Sequence, residues 1–396
     1  MSLLLVALAL FLGARDILHP AVIFPFIWGV TILVIGLAEP FGYLQISGVV
    51  FLLFVLGNFS FIFGALLGGG GVLNQRTIST YDLDFEKIGR FCIVLHVVMV
   101  PLSWMEVNQI AGGIDDIFAA AYRLRASSVS GEEVVGVVVG NYLFSGLFFI
   151  PVLMVGWLRE KVYGLTFFLL TLPWFLLNIF IAGRSGVVML VLALFYIGIS
   201  LTGKISGRFV AIFGLIFVSI LVVGNLLVGK IDAGVDDGFY PIIKQSVKGF
   251  FDYYLQGPIL FSEYHKNPDL INPTWDAFAF PCQMLAKINL CDLPVLHQEF
   301  MAFSEDRELG NVYSLFFSIY PKYGWLGVVL ITFGYGFWAG FHHARRNISI
   351  LHLLVGAFLF SATVLSIFND AFGQSVYFLV KIIILSVAVS LVFKKT

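Results

Sequence analysis

The chain reads as an all-α polytopic membrane protein, and three observations carry that reading. Hydrophobic residues make up 59% of its 396 residues and charged residues only 12%, against roughly 25% charged in a soluble domain. Several runs exceed the roughly 18 apolar residues that mark a membrane helix. Lys and Arg concentrate in alternate loops between those runs, as the positive-inside rule requires of a multi-span protein.

Taken in order, the apolar runs predict helices near 2–14, 17–37, 43–67, 90–106, 134–157, 162–182, 186–202, 208–228, 324–342, 348–368 and 375–393. That is about 11 transmembrane helices, within a range of 10–12, and the first is short for a full span. Gly and Pro inside them are tolerated in lipid because neighbouring helices re-satisfy the backbone. The organisation that follows has helices one to eight in 1–228, with an external loop at 108–135. A large external loop covers 229–323, and helices nine to eleven lie in 324–396.

Orientation comes from the loops. One side carries Arg15, Arg76, Lys87, Arg90, Arg159, Lys161, Lys204, Arg208, Arg345, Arg346, Lys394 and Lys395; the short loops of the other carry Arg123, Arg125 and Arg184. The first side is therefore expected to be cytoplasmic, with the C-terminus inside and the loop 229–323 outside. The N-terminus has no basic n-region or small-residue cleavage site, so no cleaved signal peptide is expected. A net charge of −1 with no basic tract argues against a nucleic-acid partner, since nothing neutralises a phosphate backbone.

Two external segments are long. In 108–135, Ile114, Phe118, Ala121 and Leu124 fall near helical spacing, which predicts a short amphipathic helix on the membrane with Arg123 and Arg125 near its end. In the larger loop, "GFFDYYLQGPILFSEYHKNP" sets Phe250, Phe251, Tyr253, Tyr254, Phe261 and Tyr264 beside Asp252, Glu263, His265 and Lys266. Lys244 and Lys248 upstream would share a helix face. The loop holds 7 Lys/Arg against 12 Asp/Glu, so it is no general anion trap. Aromatic faces beside carboxylates and amides suit a sugar; a folded cap without a site is the alternative. Cys282 and Cys291 also lie here and can pair in an oxidising compartment. Their spacing matches no zinc pattern.

Other signals are weaker. Asp82 and Asp84 form a D-x-D pair without the soluble domain that would use it, and Gly68 to Gly71 lack the G-K-[ST] of a phosphate loop. His96 reads as a satisfied interior histidine. Asn58, Asn141 and Asn178 are expected to bond between helices. No Asp or Glu falls in the middle of a predicted helix, which argues against an ion-coupled transporter or pump. Lys381 is the one intramembrane charge, close to Asn369 and Asp370, and either snorkels or faces the external side.

At "LLNIFIAGRSG", "YYLQGPILF" and "GNVYSLFFSIYPKYGWLG" the chain resembles the Wzy-type oligosaccharide repeat-unit (O-antigen) polymerases. The matching positions are Arg184 in a G-x-R turn; Tyr254, Leu255, Gly257 and Ile259; and Asn311, Tyr313, Ser314, Gly324 and Gly327. "DILHPAVIFPFIWGV" near the start is also similar. Tyr323 stands where the last motif usually has an acid, which weakens a role for an acid there.

The resemblance implies a glycosyltransferase-C-like fold with a large helical periplasmic loop, in the bacterial inner membrane. It implies a metal-independent glycosyltransferase of lipopolysaccharide biosynthesis, with no cofactor. That enzyme moves a growing glycan from undecaprenyl diphosphate to a lipid-linked repeat unit at the periplasmic face. Its partners would be those lipid-linked oligosaccharides and membrane lipids, and a chain-length regulator in the inner membrane is a further candidate.

The chemistry fits the residue types. A lipid diphosphate leaves as a stable anion and needs fixed cations more than a proton, so Arg184, Arg123, Arg125 and Lys248 are the candidates to bind it. An acceptor hydroxyl needs a base within hydrogen-bond reach; Glu263 and His265 are the candidates, with Asp252 next. Tyr253, Tyr254, Asn311 and Tyr313 are the candidate sugar-binding residues. An O-antigen ligase would share this chemistry with another acceptor. A lipid-linked oligosaccharide flippase would want a charged cavity among the helices, and a membrane acetyltransferase an internal H-x-x-x-D pair, which none of the predicted helices holds.

Overall fold

The computed structural model describes residues 16–70, 83–113, 119–120, 123, 136–180, 184–204, 207, 211, 214, 239–270, 277–286, 288–291, 299–374 and 376–395. Among them the structure is almost wholly helical. In chain order the helices are α1 (Pro20–Ala38), α2 (Gly48–Gly69), α3 (Phe85–Ala111), α4 (Val137–Leu158), α5 (Gly164–Phe180), α6 (Arg184–Thr202), α7 (Phe239–Lys266), α8 (Ala279–Ala286), α9 (Leu315–Ala344), α10 (Ile350–Leu365), α11 (Ala371–Gln374) and α12 (Val376–Val392). A two-stranded hairpin pairs β1 (Met301–Ala302) with β2 (Leu309–Gly310).

Five described helices are long and apolar enough to cross a membrane: α1, α2, α3, α4 and α9; α5, α6, α10 and α12 are shorter apolar helices. This is an all-α membrane protein. The predicted helices at 2–14 and 208–228 fall outside the described residues or almost so. Three predicted boundaries move. α3 runs from Phe85 to Ala111, so Glu106 lies more than a turn before its end instead of at it, and α9 starts at Leu315, inside the segment expected to be loop.

The chain divides into two compact units, Met1–Ser79 with Gly249–Ile383, and Thr80–Lys248 with Ile384–Thr396. In the first, α2 and α9 run parallel along a seam of small residues. A Cβ on Gly64 would collide with the Phe333 carbonyl and one on Gly68 with that of Phe337; Gly336 and Gly340 abut the Phe61 and Ala65 carbonyls in the same way. Lipid gives helices no hydrophobic reason to associate, so close backbone approach through small residues supplies the attraction. Beside the seam, Trp28 of α1 packs its ring against Phe24, Phe54 and Phe316, and its Nε1 donates to Ser366 Oγ at 3.0 Å.

α9 is two helices broken at Gly324, whose φ of 60° and ψ of −158° only glycine adopts readily. Ser318 in the first limb and Tyr335 in the second would be roughly 25 Å apart in a straight helix at about 1.5 Å per residue. Instead both hydroxyls reach the same Oδ2 of Asp370, at 2.9 and 3.1 Å. Phe316 and Val328, likewise far apart in sequence, both lie over Gly57. The first limb therefore doubles back on the second, and Leu315 to Ile319 are buried among α1, α2 and the Ser366–Asp370 turn.

In the second unit, Glu106 caps α4: its Oε2 accepts from Val139 N at 2.7 Å. A carboxylate there complements the positive end of a helix dipole, and Gly136 leaves it the room. His96 is satisfied in the interior, with Nδ1 2.6 Å from Tyr142 Oη and Nε2 2.8 Å from the Leu170 carbonyl. Asn58, Asn141 and Asn178 each donate to the carbonyl four residues back in their own helix.

Predicted cytoplasmic cations share an end within each unit. In the first, Arg345 bonds the Gly68 carbonyl at the end of α2, and Arg346 pairs with Asp16 just before α1. In the second, Leu83 bridges Lys394, and Lys87 pairs with Asp84 at 3.1 Å.

Candidate functional site

The end of the first unit opposite Arg345 and Arg346 is built around the second half of α7. This half is buried from Leu255 to Ser262, although the helix is too polar along its length to count as a span. Tyr43 Oη donates to Asp252 Oδ1 at 2.5 Å, and Tyr254 Oη lies 2.7 Å from Thr31 Oγ1. Ser262 Oγ accepts from Ser47 N at 2.9 Å.

The motif stretches meet here. Gln256 Oε1 accepts from Val312 N at 3.2 Å. Gly257 lets α7 press on the Ile367 carbonyl, where a Cβ would not fit, with Ser314 N alongside. Leu255 and Ile259 are fully packed. The glycine and the apolar positions of "YLQGPI" are thus explained by close packing of α7 on the 310–314 segment and the 366–370 turn. The β hairpin is tied in as well: Leu44 N donates to the Phe303 carbonyl, and Glu305 N to that of Gly42.

The candidate bases lie at the end of α7. Glu263 is ion-paired through Oε1 with Lys266, one turn on. His265 has its ring 5.4 Å from that of Tyr320 in the first limb of α9. Residues two apart on a helix do not share a face, so Glu263 and His265 cannot serve the same proton together.

The candidate sugar-binding residues differ in exposure. Tyr253 is exposed, its ring 5.5 Å from Phe368, and Asn311 is half-buried. Tyr254 is half-buried, its hydroxyl engaged by Thr31, and burial raises the pKa of that phenol. Tyr313 is buried: its ring stacks on Phe317 at 4.2 Å and its hydroxyl donates to the Glu299 carbonyl at 2.9 Å. Tyr313 therefore offers packing, not an open face.

The candidate cations belong to the other unit. Arg123 is exposed and donates to the Gly113 carbonyl at 2.7 Å. Lys248 is exposed on α7. Arg184 is the first residue of α6, but its side chain, like Arg125 and most of the predicted 108–135 helix, lies outside the described residues. Lys381 sits over the ring of Tyr377, 4.3 Å from its centroid, one turn away on α12.

Three residues were not picked out from sequence for what they do here: Tyr43, Gln256 and Asp370. Asp370, 2% exposed, accepts from Ser318, from Tyr335, and from Gly373 N at 2.9 Å. The available signal was an acid within a short polar break between two apolar runs. Cys282 and Cys291 are joined by a disulfide with Cα atoms 5.5 Å apart. No protein-family model, curated protein or solved structure matches this chain.

Proposed function

We propose that the protein is an oligosaccharide repeat-unit polymerase. It would transfer a growing glycan from undecaprenyl diphosphate to a lipid-linked repeat unit at the periplasmic face of the bacterial inner membrane. One observation carries the reading: the two stretches that resemble Wzy-type polymerases in the first unit, on α7 and at 310–327, pack directly on one another. They meet at the end away from Arg345 and Arg346, with Glu263, His265 and Tyr253 close by along α7.

In this mechanism Glu263 or His265 takes the acceptor proton as the new glycosidic bond forms. Arg184, with Arg123, Arg125 or Lys248, holds the departing diphosphate, whose charge needs fixed guanidinium or ammonium groups. The exposed ring of Tyr253 offers a face for a sugar. About 11 spans, a glycosyltransferase-C-like arrangement and a cytoplasmic C-terminus belong to the same proposal. The grouping of cations at one end of each unit supports the orientation. A ligase acting on lipid A core shares the chemistry. The flippase reading is disfavoured by the chain's commitment of α7 and 299–323 to a bonded assembly at one end of the bundle.

The test is the lipid-linked and core-linked sugar profile of a strain lacking the gene. Single repeat units capped on the core are expected. Accumulated lipid-linked polymer would make the protein a ligase, and units trapped inside would make it a flippase.

A further inference from the structure

We propose that the disulfide-closed loop after α8 is a wedge that enters the membrane interface, with Ile288 and Leu290 at its tip and Leu285 and Phe278 behind. The proposal is independent of the chemistry proposed above. Ile288 is 63% exposed and Leu290 71%, with Phe278 at 51%. Large apolar side chains clustered this way on a short stretch mark an interaction surface.

Continuity with the sides of two apolar helices decides for lipid as the occupant. The ring of Phe278 meets that of Tyr323 edge-on at 5.7 Å. Directly after Tyr323 the chain turns at Gly324, and α9 continues with Trp325, Leu326 and Leu330 exposed along its outer side. On the other flank, Gly373 of α11 backs onto the Ala277 carbonyl. The next helix, α12, opens with the exposed ring of Tyr377, over which Lys381 lies. Trp, Tyr and Lys at this level are the residues that anchor helices at the headgroup boundary. The loop extends the same apolar surface past the helix ends.

The backbone is prepared for such a place. Ile288 N and Leu290 N both donate to the Leu285 carbonyl, at 3.0 and 3.1 Å, and Asn289 N donates to Ala286 at 3.1 Å. Asn289 takes the left-handed conformation, φ 58°, that closes many helix C-termini. These three N–H groups therefore need no water, which removes part of the cost of bringing backbone into an apolar region. The Cys282–Cys291 bond fixes the turn to α8, so little ordering entropy is lost when the loop inserts. A disulfide also belongs to an oxidising compartment, which assigns the wedge to the outer leaflet.

The test places a photo-crosslinking p-benzoylphenylalanine at Ile288, at Leu290 or, as a lipid-facing reference, at Leu326. The full-length protein is illuminated in nanodiscs of phosphatidylethanolamine and phosphatidylglycerol and weighed intact. The expected result is a single-phospholipid adduct at Ile288 and Leu290 in at least half the yield found at Leu326. Adducts at Leu326 with none at Ile288 and Leu290 would overturn the proposal, and so would covalent dimers from those sites, which would make the loop a contact between copies.

Discussion

Replacing Asp370 tests whether one buried carboxylate holds the broken helix closed. Its Oδ2 receives Ser318 and Tyr335 from the two limbs of α9, and its Oδ1 receives Gly373 N. In Asp370→Leu both acceptor oxygens, and with them these three bonds, vanish. Ser318 Oγ can fall back on the Leu315 carbonyl, 2.8 Å away. The Gly373 N–H becomes a buried donor without that acceptor, at a cost of about 1–3 kcal/mol, and the half-buried Tyr335 hydroxyl loses one bond, worth about 0.5–1.5 kcal/mol. The expected loss is therefore about 1.5–4.5 kcal/mol by the same principle. Asp370→Asn keeps an acceptor for Gly373 and offers an N–H₂ to hydroxyl oxygens that can accept it, so its loss should be no more than about 1–2 kcal/mol. The assay is thermal unfolding of the purified protein in one detergent, with the order wild type, Asn, Leu in falling midpoint. A Leu variant as stable as wild type would refute the reasoning and leave Gly324 and apolar packing to hold the limbs together.

Four further outcomes are expected. At matched membrane abundance, one of Glu263→Gln and His265→Ala should lower polymer formation by roughly 100-fold; near-normal polymer from both would move the base elsewhere, with Asp252 next to test. Arg184→Ala and Arg184→Lys should both lose polymer if a bidentate fork holds the diphosphate, because a point charge cannot make two parallel bonds; wild-type polymer from both would make Arg184 a headgroup anchor. Gly340→Val should destabilise by about 1–3 kcal/mol or more through overpacking against Ala65, whereas Gly334→Ala, with open space around its Cβ position, should be neutral or stabilising in the same melts. Finally, burial would raise the pKa of Asp16, but the hydrogen bond with His343 and the charge of Arg346 hold it well below the usual carboxylate range. Such a group stabilises above its unfolded value near about 4 and ceases to do so as pH falls through the lower folded value. Wild type should therefore lose more of its melting temperature between pH 5 and pH 3 than Asp16→Asn does.

The membrane character and most of the helices were legible in the sequence. The runs near 17–37, 43–67, 134–157, 162–182, 186–202, 348–368 and 375–393 became α1, α2, α4, α5, α6, α10 and α12 within a few residues. Membrane partitioning is a local property: each segment's transfer from water depends on its own side chains and on helical bonds closed within it. The cysteine pair was legible for a similar reason, being nine residues apart on one short loop. The aromatic and charged run at 249–268 was visible too, but not which of its residues would be buried. Half of α7 is packed inward and Tyr313 is sealed, because their neighbours Thr31, Tyr43, Ser47, Glu299 and Ile367 come from other parts of the chain.

Composition and local hydropathy by themselves determined an all-α membrane protein and the approximate ends of its helices. Only the tertiary structure decided that 315–323 is helix rather than loop, and that it folds back at Gly324 to bring Ser318 beside Tyr335 on Asp370. The physical reason is range. Helix formation is settled by hydrogen bonds four residues apart, whereas a re-entrant limb holds only when groups distant in sequence supply buried polar atoms with partners, and no local pattern encodes that meeting.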